Sequence, residues 1–381
     1  MAWEMSGTWD RRFWPLAEAF RDNFDEGLEL GASLGVTWRG RTVVDVWGGW
    51  ADTGRTTSWR KDTIVQVFSV TKIMLLAAVL GLVDRGKLAL DAPIARYWPE
   101  FAQGGKGEVT LRDFLTHRGG VPGFRPAASA DDLHDWTRMT DNLAAQTHWF
   151  GGQKVTCYHA ITYGYVLGEL IRRVTGMGPA RYFRDRIARP AGADFQMGLA
   201  ARRDLRRLAI PDLSVMGPPP DMAENPMMIE ILGEPPTTEQ LMSWSRLSAV
   251  MPAANGYGNG RSIARVCAIF AMNGKLRGHR FMSREMVAEA AREQVYGDDL
   301  YIGRIAWGLG FGLNSPDYPA PSPTAFHWGG AGGSWGVMDP KAGVSLGYAP
   351  NRMLGGAGAA HDPRLARLSA ALSDLLPKLS R

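Results

Sequence analysis

Trp14, Leu16, Ala19, Phe20 and Phe24 recur at helical spacing, so the chain opens with an amphipathic helix laid on something larger. The period then shortens. Ala32 to Trp38 and Thr42 to Trp47 are β-rich runs around the turn-like Arg39-Gly40-Arg41, which predicts a hairpin. Asp62 stands before another strand-like stretch, Ile64 to Phe68, that runs directly into Ser69. From Ser69 to Asp84 the residues are apolar almost all round, the pattern of a helix buried between two layers rather than lying on a surface. Gly86 is its expected stop.

From there to about residue 250 the pattern is mostly short helical stretches broken by Pro and Gly, and Gly217-Pro218-Pro219-Pro220 marks a long loop. Strand signals return at Ala306 to Gly312, Ala325 to Trp328, Gly333 to Met338 and Val344 to Tyr348, separated by Gly, Pro and Asp as in antiparallel meanders. Leu365, Leu368, Leu372, Leu375 and Leu376 then put an apolar stripe on a final helix. Strands at both ends with helices between them predict an α+β fold, an antiparallel sheet flanked by terminal helices. Residues 1–68 and 251–381 form its sheet domain, and 69–250 form an inserted, mostly helical domain.

Composition narrows the function. The 381 residues are 45% hydrophobic and 21% charged, which fits a globular chain with a sizeable core. The net charge of +5 is spread with no run long enough to track a phosphate backbone, so no nucleic-acid partner is expected. Cys157 and Cys267 lie far apart with no metal or disulfide spacing, and the seven histidines show no H-E-x-x-H pattern, so no metal or cofactor is expected. The first residues lack an apolar core ahead of a cleavage site. The longest apolar run, Ile73 to Val83, falls short of the roughly 20 residues that span a bilayer. A cytoplasmic protein follows from these readings; oligomeric state leaves no mark.

The chemistry concentrates at Ser69-Val70-Thr71-Lys72, an S-x-x-K tetrad. A spacing of three puts serine and lysine on one helical face, within reach of each other. At the first turn the serine oxygen lies near the positive end of the helix dipole, and its own N–H is free to meet an oxyanion. A lysine among Ile73, Leu75 and Leu76 is costly as a cation, so its pKa should fall and let it take or relay a proton.

Further blocks follow in a set order: Leu82 to Ile94 (LVDRGKLALDAPI), Tyr97 to Phe101 (YWPEF), Leu115 to Gly123 (LTHRGGVPG), Tyr158 with Gly164 to Gly168 (GYVLG), and His327 to Gly333 (HWGGAGG). Together with Phe68-Ser69-Val70-Thr71-Lys72 they resemble the class C β-lactamase and penicillin-binding-protein (DD-peptidase) superfamily over nearly the whole chain, and more closely its esterase branch, the family VIII carboxylesterases. The resemblance implies that Tyr158, in the place of a Y-x-N tyrosine, serves as base beside Ser69 and Lys72. A phenol becomes useful near neutral pH if a cation stabilises its phenolate, and Lys72 is the expected source. It also implies an oxyanion hole from the N–H groups of Ser69 and Ala331, and a substrate pocket lined by His327, Trp328, Gly329 and Gly330. Ala160 replaces the motif's asparagine and Trp328-Gly329-Gly330 replaces a K-T-G block. Both changes remove partners for an amide or β-lactam carboxylate while a neutral ester loses little.

The expected function is hydrolysis of short-to-medium acyl esters through an acyl-enzyme on Ser69. The alternatives are a β-lactamase or D-amino-acid peptidase, an acyltransferase, or a non-catalytic binding relative. A rival nucleophile stands at Gly332-Gly333-Ser334-Trp335-Gly336, a G-x-S-x-G elbow followed by Asp339 and His361, but too little chain follows it for that hydrolase topology. His117 and His327 read first as structural histidines near the pocket and second as proton carriers. Trp136, Met139, Trp149, Met227, Met228, Met242 and Trp244 read as core or lid packing before acyl-pocket lining. Arg202, Arg203, Arg206 and Arg207 read as a solvated helix face.

Overall fold

Strands from both ends of the chain meet in one sheet. In the computed structural model, residues 3–214, 226–233, 237–354 and 362–379 are described. The expected Gly217–Pro220 loop and His361 therefore lie outside the described residues. The early strands are β1 (Met5–Trp9), β2 (Gly31–Trp38), β3 (Arg41–Gly49) and the short β4 (Val65–Gln66). Two-residue β5 (Gln196–Met197), three-residue β6 (Gly256–Gly258), and the pair β7 (Lys275–Leu276) and β8 (His279–Arg280) follow. The late strands are β9 (Val295–Asp299), β10 (Gly303–Trp307), β11 (Gly312–Leu313), β12 (Phe326–Gly329), β13 (Trp335–Asp339) and β14 (Val344–Pro350).

The main sheet has nine strands in the order β1-β3-β2-β14-β13-β12-β11-β10-β9, every neighbouring pair antiparallel. The predicted hairpin is β2–β3, with Trp38 opposite Arg41. Arg39 and Gly40 both take positive φ, 50° and 72°, the turn geometry whose twist matches two flanking strands.

Period-two alternation sorts the sheet's residues onto two faces. Val44, Val46, Trp335, Val337, Leu346 and Tyr348 face the two terminal helices, Trp14–Asp25 and Pro363–Leu379, and close one core with Phe20, Leu365, Leu368 and Leu372. The opposite face receives the Gly260–Ala271 helix, whose Ala264 carbonyl accepts a bond from Ser345 Oγ at 2.7 Å. Behind it lies the Thr71–Asp84 helix, buried on every side from Thr71 to Leu82. Burying each of its Leu and Ile side chains is worth about 1.5–3 kcal/mol, so this helix is a rigid base for whatever its first turn carries.

Four details depart from the pattern-based reading. The helix starts at Thr71, after a 3-10 turn over Phe68–Val70 that holds Ser69. The stretch before it pairs only at β4, with β6, because the chain leaves the extended region at Phe68, whose φ is 44°. The run Ala306 to Gly312 is two strands, since Gly308 N–H bonds Phe311 O at 2.9 Å and Gly310 turns with φ 83°. β1 and β9 flank the sheet, and neither shows enough alternation to be read beforehand. No helix among the described residues is long and apolar enough to cross a membrane.

Candidate active site

The turn that carries Ser69 is held from three directions. Thr71 Oγ1 donates to the Phe68 carbonyl at 2.5 Å and accepts the Gly256 N–H at 2.9 Å, tying the turn to β6. Ser334 Oγ donates to the Val67 carbonyl at 2.7 Å, tying it to the start of β13. Phe68 keeps its left-handed backbone, a conformation costly for a side chain of this size, and such strain persists only where surroundings enforce it. The outcome is a serine hydroxyl that remains partly exposed while the residues on either side of the turn are buried.

Ser69 Oγ has two chemical neighbours. Lys72 Nζ lies at 3.1 Å and the Tyr158 hydroxyl at 2.9 Å. Lys72 is 0% exposed, and its other contacts are the carbonyl oxygens of Ala160 at 2.7 Å and Ala253 at 3.1 Å. Burial depresses its pKa well below the usual lysine value. An uncharged amine fits these three neighbours: two N–H groups donate to the carbonyls, and the lone pair faces the serine O–H. Lys106 is equally buried but bonds only the carbonyls of Gln103, Ala144 and Gln146, so burial alone does not make a lysine chemical.

Tyr158 comes from a loop pinned at successive backbone atoms. Cys157 N–H donates to the His117 carbonyl at 3.0 Å, Tyr158 N–H to Asp299 Oδ1 at 3.0 Å, and His159 N–H to His117 Nδ1 at 3.1 Å. Its ring lies among His117, Tyr301, Trp307 and Trp328, with centroids 4.8, 5.6, 6.3 and 5.3 Å away. Trp328 Nε1 donates to its hydroxyl at 3.3 Å. Burial pushes the phenol's pKa up, and its hydrogen bonds, one donated to Ser69 Oγ and one accepted from Trp328 Nε1, offset this only in part. Lys72 Nζ lies 4.7 Å from the ring centroid, and its own hydrogen bonds join Ser69 and the carbonyls of Ala160 and Ala253.

The remaining expected site residues fall into two groups. Gly330 brings β12 against the serine turn: a Cβ there would lie 3.1 Å from Ser69 N and 2.3 Å from the Val67 carbonyl oxygen, so only glycine fits. Ala331 follows it, exposed, at the head of a short turn over Ala331–Gly333. Trp328 and Gly329 lie on the same strand, with Trp328 reaching the cluster through Tyr158. His327 does not join them. Strand alternation turns it to the terminal-helix face, where it is buried, accepts Trp335 Nε1–H at 3.0 Å and stacks on Tyr318 at 4.5 Å. Burial pulls its pKa down to about 3.

Ser334, the rival nucleophile, is buried and spends its hydroxyl on Val67. His117 serves as packing behind Tyr158, buried and depressed in pKa by desolvation. The apolar candidates are also occupied elsewhere: Trp136 Nε1 donates to Glu169 at 3.2 Å, the Trp149 ring lies under Arg125, and Met139 is core. Arg202 to Arg207 form a 3-10 turn rather than a free helix face. Arg207 pairs with Asp194 and Asp204, and Arg202 covers Trp244.

Two neighbours of the cluster escaped the sequence. Asp299, at the end of β9, accepts three backbone N–H groups through Oδ1: Tyr158, Tyr301 at 2.9 Å and Ile302 at 3.2 Å. Arg364, in the last helix, reaches the Gly332 carbonyl at 2.7 Å. Neither lies in a motif, and each is brought in by contacts more than 30 residues away in sequence. Among the described residues no group of three or more His, Cys, Asp or Glu side chains is placed to hold a metal ion.

An antiparallel sheet between terminal helices, with an S-x-x-K serine at the mouth of a buried helix and a tyrosine against it, defines the penicillin-recognising class of serine hydrolase folds. The chain belongs to the β-lactamase family, whose model matches residues 20–371. It is similar in structure to a family VIII carboxylesterase, with 37% identity, a TM-score of 0.89, and coverage of 98% of this chain and 100% of that one. In sequence it is 32% identical to the esterase/β-lactamase LipL of Mycobacterium tuberculosis over 91% of this chain and 83% of that protein. It is 28% identical to the esterase EstB of Burkholderia gladioli, over 85% and 87%.

Proposed function

We propose that this protein is a serine carboxylesterase that hydrolyses neutral acyl esters through an acyl-enzyme on Ser69. The observation that carries this reading is the convergence of Lys72 Nζ and the Tyr158 hydroxyl on Ser69 Oγ, at 3.1 and 2.9 Å. Uncharged Lys72 takes the serine proton as Oγ bonds to the ester carbonyl carbon. The N–H groups of Ser69 and Ala331 receive the developing oxyanion. As the carbon–alkoxide bond breaks, the neutral Tyr158 hydroxyl gives its proton to the departing alcohol, and the Lys72 ammonium replaces it. Water then takes the alcohol's place and the transfers run in reverse: Tyr158 accepts the water proton as it passes its own to Lys72, the water oxygen bonds to the acyl carbon, and the Lys72 ammonium returns a proton to Ser69 Oγ as the bond between Oγ and the acyl carbon breaks, freeing the acid.

Three further points support an ester over an amide. Where a K-T-G block would bring a cation, Trp328 brings an indole N–H directed at Tyr158. Where the family's asparagine would stand, Ala160 offers its backbone carbonyl to Lys72. The relatives above are named esterases. One is also named a β-lactamase, which keeps amide hydrolysis as the second reading. The same reading takes residues 1–68 with 251–381 as a sheet domain and 69–250 as the helical one; all nine strands of the main sheet come from the former. Two free, buried cysteines fit a reducing, cytoplasmic setting.

The test is mass spectrometry after a fluorophosphonate, with turnover of p-nitrophenyl butyrate and nitrocefin measured in parallel. Ser69 should carry the label, Ser69→Ala should abolish ester turnover while the fold persists, and nitrocefin should be the poorer substrate. Full activity in Ser69→Ala discards the assignment.

A further inference from the structure

Beneath the Ala331–Gly333 turn lies a buried ion cluster with no obvious use. Arg364 is 0% exposed, and all five of its N–H donors are engaged. Nε and one Nη2 hydrogen bond Asp362, at 3.0 and 2.7 Å. Nη1 bonds Glu29 at 3.2 Å and the Arg352 carbonyl at 2.9 Å. The remaining Nη2 donor goes to the Gly332 carbonyl at 2.7 Å. The turn lies directly on this cluster: at Gly333, with φ 103°, a Cβ would stand 2.2 Å from Arg364 Nη2 and 2.5 Å from Asp362 Oδ2. Burying charges this way is a poor route to stability, because desolvation consumes most of the attraction and apolar residues would pack as well. What apolar residues could not do is hold the Gly332 carbonyl.

That carbonyl is the first link of a chain. Gly332 C=O and Gly333 N–H belong to one peptide unit. The Gly333 N–H donates to the Gly330 carbonyl at 3.1 Å. Gly330 C=O in turn shares its peptide unit with the Ala331 N–H, and Gly330 N–H is fixed by the Ser334 carbonyl at 2.8 Å. A donor pulling on Gly332 O therefore makes Gly333 N–H a better donor, which in turn makes Ala331 N–H a better donor, and each bond also fixes the plane of the next peptide.

We propose that Arg364, aimed by Asp362 and Glu29, is a positioning residue for the oxyanion hole, orienting and polarising the Ala331 N–H through the Gly332–Gly333 and Gly330–Ala331 peptides. The proposal rests on the reading of Ser69 and Ala331 given above. It assigns a task in the ester reaction to a residue that touches no substrate.

Arg364→Lys keeps the charge but not the fork, so it cannot serve Asp362, Glu29 and Gly332 together. Losing an oxyanion donor outright costs about 10²–10³ in kcat, and a misaimed donor should cost roughly 10- to 100-fold. For p-nitrophenyl butyrate the expected result is that fall in kcat, with KM within about twofold, in protein shown to be folded by circular dichroism. Ala331→Pro supplies the decisive background: it deletes the N–H, and Pro is tolerated at the first position of a helical turn. There, Arg364→Lys should cost nothing further. An unchanged kcat in folded Arg364→Lys, or an equal loss with and without the Ala331 N–H, overturns the proposal and leaves Ser69 labelling intact. Failure of Ser69 to label would instead overturn the functional reading. If Arg364→Lys does not fold, Asp362→Asn, which loosens the aim of Arg364, carries the same cycle with the same two outcomes.

Discussion

Ser334→Ala separates two serines that a motif search would rank equally. The Ser334 hydroxyl makes one buried neutral bond, 2.7 Å to the Val67 carbonyl. That carbonyl also accepts the Val70 N–H at 3.1 Å, so the mutation leaves no acceptor orphaned. The loss is then that of one ordinary bond, about 0.5–1.5 kcal/mol. Spread over a chain of this size it lowers Tm by about 1–3 °C. If all of it fell on the transition state, kcat would drop at most about tenfold. Removing the nucleophile at Ser69 costs about 10³-fold or more. Initial rates on p-nitrophenyl butyrate for the two alanine variants, with a melting curve for each, give the comparison directly. Equal collapse of both variants, or phosphonate recovered on the peptide that contains Ser334, would refute the reasoning.

Two other outcomes follow from the geometry. Burial raises the Glu29 carboxyl from 4.5 to about 8, so between those values the folded chain keeps a proton that the unfolded chain has released. Its contribution is most favourable below pH 4.5 and falls as pH rises toward 8, by a few kcal/mol in order of magnitude. Glu29→Gln should therefore gain stability on the wild type between pH 5 and pH 8 in thermal unfolding, and parallel curves would contradict this. Trp328→Phe removes the donor 3.3 Å from the Tyr158 hydroxyl while keeping a ring against Trp307. One neutral bond corresponds to roughly a 3- to 10-fold loss of kcat on p-nitrophenyl butyrate; an unchanged kcat would show that the indole does not act on the phenol.

The sequence exposed what depends on local pattern. The Thr71–Asp84 helix is legible because its residues are apolar on all sides, and β2–β3 because two β-rich runs stand on either side of the turn-like Arg39-Gly40-Arg41. Ser69 and Lys72 are neighbours by helical period alone. Tyr158 could be named only by resemblance, since nothing local to it says that Asp299 and His117 hold its loop. His327 and Trp328 part company because a motif lists adjacent residues together while a strand sends them to opposite faces. Arg364 and Asp299 are single residues whose meaning is entirely tertiary, and no period or spacing marks them.

The pairing of β2 with β14 has a consequence for the making of the protein. Trp38 and Val344, opposite each other in the sheet, are separated by about 300 residues of chain. During synthesis the β2–β3 hairpin emerges early, and the edge of β2 that β14 will occupy stays open until nearly the whole chain has left the ribosome. An open β edge beside apolar Leu34 and Val36 is a template for pairing with another copy. Stalled or truncated chains that end before Val344 should thus be the aggregating species, and the slow step of refolding should be the docking of the two halves of the sheet.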